Sequence, residues 1–139
     1  MKAAYIDHYG SLEQIQFGEQ PKPRIQSDEV LVKVHAVSIN PLDMRMVEGE
    51  FKAVLPVKFP FILGNDLSGV IVEVGSKVHN FKVGDEVFAK TDAHGSFAEY
   101  TSLKSTSVAL KPNNMSMTQA AALPLVALTA WQALVEVTQ

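Results

Sequence analysis

The segment Ser68–Val74 constrains the fold more than any other part of this 139-residue chain. It is β-branched and almost continuously apolar, which is typical of a strand buried on both faces of a sheet. Gly64 precedes this strand, Gly75 follows it, and Gly84-Asp85 gives a further turn signal downstream. The fold therefore has to contain a β-sheet whose two faces are both covered around this strand.

Other short segments also have strand character. Glu29–Val37 is the clearest, because Val30, Val32 and Val34 recur at every second position and so share one face. Further strands are predicted at Lys2–Ile6, Leu12–Phe17 (as an edge strand), Glu86–Ala89, Ser96–Leu103 and Ser107–Leu110. Many short strands separated by Gly and Pro turns indicate a fold that is mainly β with short helices, arranged as a small barrel.

One short helix is predicted after the Glu29–Val37 strand. Asn40 is an N-cap residue, and Pro41 suits the first helical position because its fixed φ is already helical. The helix runs through Leu42–Val47 and ends at Gly49.

The pattern changes from strand to helix near residue 116. Ser116 and Gln119 have the spacing of a capping box, which predicts a helix starting at residue 117. Pro124 interrupts this helix, and a second one is predicted to run through Leu125–Val137. The chain then ends in a helix-forming segment with no stop signal, which reads as the end of a fragment.

The composition excludes several classes of function. Without cysteine the chain cannot form a disulfide, a catalytic thiol or a thiolate zinc site. A net charge of −3 gives no electrostatic reason to expect nucleic acid or an anionic membrane as a partner. The apolar segment Ala120–Leu134 is shorter than the roughly 20 residues that span a bilayer. We predict a cytoplasmic protein that acts on a small molecule.

Four blocks resemble, in the same order, the motifs of the medium-chain dehydrogenase/reductase family. They are Val32–Asp43, Gly64–Val87, Gly95–Tyr100 and Ala120–Leu134. The resemblance implies a GroES-like catalytic domain, an irregular β-barrel, over residues 1–115. It also implies that residues 116–139 lead into a Rossmann domain that binds NADP(H). The chain itself contains no Gly-x-Gly-x-x-Gly fingerprint for a dinucleotide.

The resemblance also shows where this chain departs from the zinc-dependent members of the family. Asn65 stands where they carry a zinc-binding His, and Asn40 where they carry their first zinc-binding Cys. Leu42 replaces the hydroxyl of their proton relay, and Asp66 replaces the Glu beside the metal ligand. Asn65 and Asp66 therefore mark a former metal site. The losses imply the zinc-free quinone and enone reductases, with NADPH as cofactor and no zinc.

Three residues are predicted to take part in the chemistry. The resemblance places Asn40 at the nicotinamide end of the cofactor, a role compatible with helix capping. Thr129 matches a Thr that faces the nicotinamide; on local grounds alone it would be a helical Thr bonded to its own turn. Arg45 could stabilise an enolate oxygen or be a solvated arginine, and the sequence leaves both open.

The predicted function is the catalytic domain of an NADPH-dependent reductase of quinones or α,β-unsaturated carbonyls, inactive as this fragment alone. The alternatives are a zinc-type alcohol dehydrogenase-like protein and a non-enzymatic GroES-like binding or structural protein. Because the Rossmann domain that it would pack against is missing from this chain, the helix at Ala120–Leu134 is expected to expose apolar surface that favours self-association. A homo-oligomer is expected.

Overall fold

Two antiparallel sheets form the chain's framework in a computed structural model that describes residues 1–92 and 95–137. The first sheet has the order β2-β1-β4, with β1 at Lys2–Ile6, β2 at Gln16–Glu19 and β4 at Phe61–Ile62. The second has the order β7-β3-β5-β6-β8. Its strands are β3 at Glu29–Ser38, β5 at Asp66–Val74, β6 at Glu86–Lys90, β7 at Tyr100–Lys104 and β8 at Val108–Leu110. The mainly β prediction is confirmed.

The main core lies on the second sheet, around β3 and β5. Val30, Val32, Leu67 and Ile71 have no exposed surface, and each such side chain contributes roughly 1.5–3 kcal/mol through burial. Gly69 of β5 allows the two strands to approach closely. A Cβ added there would lie 2.2 Å from the carbonyl oxygen of Lys33. The pairing of β3 with β5 therefore depends on a residue without a side chain.

In the part of the chain that the structure describes, three α-helices pack against the sheets. The first, α1, spans Pro41–Glu48 and ends at Gly49, as predicted. The second, α2, spans Met117–Ala121 and starts with the predicted capping box of Ser116 and Gln119. The third, α3, spans Pro124–Trp131 and continues into a π-helical turn at Gln132–Glu136. A smaller apolar cluster joins α1 to the first sheet, through Ile6, Met46, Val47, Phe61 and Leu63.

Two predicted strands are wrong in part. Leu12–Gln14 forms a 3₁₀ turn, so that β2 starts only at Gln16. A 3₁₀ helix has three residues per turn, so Leu12 and Ile15 lie on the same side of this turn. Both side chains line an apolar groove. The strand predicted at Ser96–Leu103 starts later, at Tyr100. The backbone hydrogen bonds of residues 96–99 are divided among β1, β3 and the segment at Leu63-Gly64, and they form one isolated bridge at Ala98 instead of a continuous ladder.

The predicted helical ending is confirmed as far as the structure describes it. The second of the two predicted C-terminal helices, Leu125–Val137, corresponds to α3 and its π-helical turn. Residues 138 and 139 lie outside the described residues. Within the described part of the chain, no helix has the length and apolar character needed to cross a membrane.

Candidate active site

The end of β3 and the start of β5 bring three of the predicted site residues together. The two strands are antiparallel, and Ser38 pairs with Asp66. The residues that follow β3 therefore lie beside the residues that begin β5. This places Asn40, at the start of α1, next to Asn65 and Asp66, and all three are buried. In the sequence, only the resemblance to a family motif indicated that these three residues belong to one site.

Asp66 is the centre of a buried hydrogen-bond network. Its Oδ2 atom accepts from Ser38 Oγ at 2.7 Å and from Asn40 Nδ2 at 3.0 Å. Its Oδ1 atom accepts from the backbone N–H of Leu125 at 2.9 Å, in the first turn of α3. Three donors thus offset the cost of burying this carboxylate. The bond to Leu125 also ties α3 to the second sheet.

Asp43 forms the second half of the network. Its Oδ2 atom accepts from the backbone N–H of Asn40 at 2.7 Å, which is one half of a capping box at the start of α1. Its Oδ1 atom accepts from Asn65 Nδ2 at 2.6 Å. One carboxylate therefore holds both the loop before α1 and the side chain of Asn65. No local pattern in the sequence indicated that Asp43 reaches Asn65.

These residues do not fit zinc. Amides are poor ligands beside thiolate or imidazole, and the chain has no thiolate. The amide nitrogens of Asn40 and Asn65 are bonded to Asp66 and Asp43, whose carboxylates would otherwise be candidate ligands. In residues 1–92 and 95–137 no group of three or more His, Cys, Asp or Glu side chains could hold a metal ion.

A cleft of about 470 Å³ lies between the start of α1 and the helix formed by α3 and its π-helical turn. Asn40 and Thr129 are its polar lining residues. The hydroxyl of Thr129 donates to the carbonyl oxygen of Leu125 at 2.7 Å, so the bond to its own turn that the sequence allowed is present. The rest of the lining is apolar: Pro41, Leu42, Leu125, Val126, Ala130 and Ala133. The structure therefore brings Asn40 and Thr129 to one cleft.

Arg45 lies apart from this cleft. Its Nε atom forms an ion pair with Glu50 at 2.6 Å, and its guanidinium lies 4.8 Å from the centre of the Phe51 ring. Both charged side chains are about half exposed, which makes the pair a weak contribution to stability. A catalytic role for Arg45 stays a prediction.

A larger groove, of about 990 Å³, runs between the first sheet and the second half of β3. Its walls are mostly apolar and include Phe17, Val37 and Ile39, which are exposed. Met44 and Val47 of α1 form part of the same wall. The groove therefore lies on the opposite side of α1 from the cleft that contains Asn40 and Thr129.

Comparisons with known proteins agree with this architecture. The sequence profile described as "Alcohol dehydrogenase GroES-like domain" matches residues 26–113. The chain is 40% identical, over 97% of its length, to the chloroplastic NADPH-dependent alkenal/one oxidoreductase of Arabidopsis thaliana. It is 41% identical, over 96% of its length, to the 2-methylene-furan-3-one reductase of Solanum lycopersicum.

A solved structure gives the same result for the fold. Escherichia coli quinone oxidoreductase, complexed with NADPH, is 27% identical and matches 99% of this chain with a TM-score of 0.90. The chain spans 37% of each plant relative and 41% of the bacterial chain. The profile match extends over more than half of the chain. The chain therefore belongs to the alcohol dehydrogenase GroES-like domain family, as its resemblance to the medium-chain dehydrogenases/reductases predicts.

Proposed function

We propose that this protein is an NADPH-dependent oxidoreductase that reduces quinones or α,β-unsaturated carbonyl compounds without zinc. Relatives named as an alkenal/one oxidoreductase and as a furanone reductase support the substrate class. A bacterial quinone oxidoreductase solved with NADPH supports the cofactor. Residues 1–115 would form the catalytic domain, and residues 116–139 would lead towards a cofactor-binding domain.

One observation carries the zinc-free part of the proposal. The resemblance places Asn40 and Asn65 where the zinc-dependent members of the family carry zinc ligands. In this chain the amide nitrogens of both residues donate hydrogen bonds to buried carboxylates. The same Asn40 lines a mostly apolar cleft together with Thr129. Such a cleft suits a flat, uncharged ring better than a hydrated metal ion.

The residues of the cleft would bind the nicotinamide ring of the cofactor and orient it. When bound, the reduced nicotinamide supplies a hydride to the β-carbon of an enone or to a quinone. Asn40 and Thr129 would hold its polar groups, while the apolar side chains of Leu42 and Leu125 would line the cleft around the ring. Leu42 stands at the position of the relay hydroxyl and cannot carry a proton. Solvent would therefore supply the proton that completes the reduction.

The experiment is an assay of NADPH oxidation by the full-length protein with panels of enones and quinones, before and after metal chelation. We expect activity with at least one panel and no change on chelation. Loss of all activity on chelation, restored by added zinc, would overturn the zinc-free mechanism. Oxidation of simple alcohols with NADP⁺ would favour a zinc-type alcohol dehydrogenase. Inactivity on every panel would favour a binding protein.

Two features of the whole protein belong to the same proposal. A cytoplasmic location is expected, although the name of the Arabidopsis relative assigns that protein to the chloroplast. A homo-oligomer is expected as well; the apolar side chains that α3 exposes in these 139 residues, such as Val126 and Trp131, favour self-association of this chain. Fractionation of the native cells and sedimentation of the purified protein test these two statements.

A further inference from the structure

The face of α1 that borders the cleft continues beyond it to Arg45. Pro41 and Leu42 line the cleft. Because an α-helix turns by about 100° per residue, Arg45 points in a direction between those of Pro41 and Leu42, one turn further along α1. The apolar groove is lined by the opposite face of the helix, through Met44 and Val47. A molecule that extends from the cleft along α1 therefore reaches Arg45.

The end of α1 fixes the carboxylate of Glu50 beside this arginine. Gly49 ends the helix in the left-handed conformation, with a φ of 75°. The backbone N–H of Glu50 donates to the carbonyl oxygen of Arg45 at 3.1 Å, which is the hydrogen bond of a Schellman cap and folds Glu50 back over the last turn. Its carboxylate then accepts from Arg45 Nε at 2.6 Å. The helix cap therefore brings the two charges together.

The rest of the guanidinium is open to a ligand. Its Cζ atom lies 4.8 Å from the centre of the Phe51 ring, and the side chain of Arg45 is 53% exposed. Among the residues that the structure describes, the guanidinium forms a side-chain hydrogen bond through Nε, to Glu50, and through no other atom. The N–H groups of both Nη atoms thus form a planar donor fork that is held in place from behind.

We propose that the pair of Arg45 and Glu50 selects the substrate by its charge. The inference rests on the proposed function, and it narrows the substrate class to uncharged carbonyl compounds. The Nη atoms donate to the carbonyl oxygen of the enone or quinone. Glu50 is a positioning residue that also cancels the charge of the guanidinium, so a substrate that carries a carboxylate gains little from Arg45 and is repelled by Glu50. Two exposed neighbours, Glu48 and Lys52, have opposite charges and leave the balance unchanged.

The test uses two enones that differ in charge, β-acetylacrylate and its methyl ester. The full-length protein is assayed with NADPH, and the readout is kcat/KM for the acid divided by kcat/KM for the ester. The intrinsic reactivity of each substrate is the same for all variants, so a change in this ratio reports the charge at the site. We expect Glu50→Gln to raise the ratio about fivefold to tenfold, because the guanidinium charge is no longer cancelled. The gain should shrink at about 0.5 M salt, which screens exposed charges.

Arg45→Met makes the opposite change. It leaves Glu50 without its cation, so the ratio should fall about fivefold. The value of kcat/KM for the ester should itself fall about tenfold, because the carbonyl oxygen loses its donor. The saturated products, levulinate and methyl levulinate, give a second readout that needs no turnover. Their dissociation constants, measured by NMR titration, should shift in the same directions and decide the case even where the ester is a poor substrate.

Two exposed residues elsewhere in the chain give matched controls. Glu73→Gln makes the same change in charge at the opposite end of β5 from Asp66, and Arg24→Met removes the other arginine of the chain. Neither should alter the ratio. An unchanged ratio in both Glu50→Gln and Arg45→Met, or an equal change in the controls, would overturn the inference and leave the proposed function intact. A wild type that reduces neither enones nor quinones would overturn both.

Discussion

At the scale of single residues, Gly64 is a position beside the site where a side chain has no room. It has a φ of 97°, and an added Cβ would lie 2.2 Å from the ring of Phe97 and 2.3 Å from Ser96 Oγ. Gly64→Ala therefore combines backbone strain with a steric clash beside Asn65. We expect the free energy of unfolding, measured with denaturant, to fall by about 3 kcal/mol or more.

Gly84→Ala is the matched control for that change. Gly84 has almost the same backbone conformation, with a φ of 94°, but an added Cβ would meet no atom within 4 Å. Only the conformational cost remains, so the expected loss is about 1–2 kcal/mol. Equal losses in the two variants would show that crowding at Gly64 makes no contribution.

Two buried serines differ in whether their hydroxyls are bonded. Ser68 Oγ donates to the carbonyl oxygen of Met117 at 2.7 Å, whereas Ser96 Oγ has no hydrogen-bond partner among the described residues. We expect Ser68→Ala to lower the free energy of unfolding by about 1–2 kcal/mol because the carbonyl of Met117 loses its donor. Ser96→Ala should leave stability unchanged or raise it by about 1 kcal/mol. Equal destabilisation of the two variants would contradict this.

At the scale of elements, the sequence predicts best where a local signal and a tertiary contact agree. The Asn40-Pro41 start of α1 and the Ser116–Gln119 capping box were both found, because caps are set by neighbours in the chain. The apolar and polar residues at Leu12–Phe17 indicated a strand, and this was misleading. Leu12 and Ile15 are three residues apart, which is also the repeat of a 3₁₀ helix. The groove that they line involves residues distant in sequence, which no local pattern reveals.

The turn between β5 and β6 gives a prediction about pH. Asp85 accepts from the backbone N–H of Lys82 at 3.0 Å, and this bond is the main cause that lowers the pKa of Asp85 below its ordinary value of 3.8. A lowered pKa in the folded state means that the stabilisation is present above that ordinary value. It is lost as the pH falls through the folded-state pKa.

Asp85→Asn measures this contribution. The difference in free energy of unfolding between the wild type and Asp85→Asn should be constant at neutral pH and shrink as the pH falls below about 4. Lys82→Ala is the control, because it removes the ion pair at 3.2 Å but keeps the backbone N–H. It should retain most of the pH dependence. A difference that grows on acidification would contradict the assigned cause.

At the scale of the whole molecule, the candidate site joins three separate parts of the chain. The family resemblance supplied Asn40, Asn65 and Asp66, but Ser38 and the N–H of Leu125 carry no sequence signal. Ser38 is an ordinary strand residue, and a backbone N–H is present at every position except proline. The partners of Asp66 could therefore be found only once β3, β5 and α3 were placed together.

The apolar surface of α3 and its π-helical turn leads to a prediction about assembly. Trp131 is 58% exposed and Leu134 is 72% exposed, so the expected apolar surface is present. Sedimentation equilibrium of the 139-residue chain should show self-association in the range of tens to hundreds of micromolar. Trp131→Lys should weaken it by about tenfold or more, because exposed aromatic residues dominate such contacts.

Phe17→Lys, on β2, is the control and should have little effect. A monomer at every concentration, or equal effects of both variants, would contradict an interface on α3.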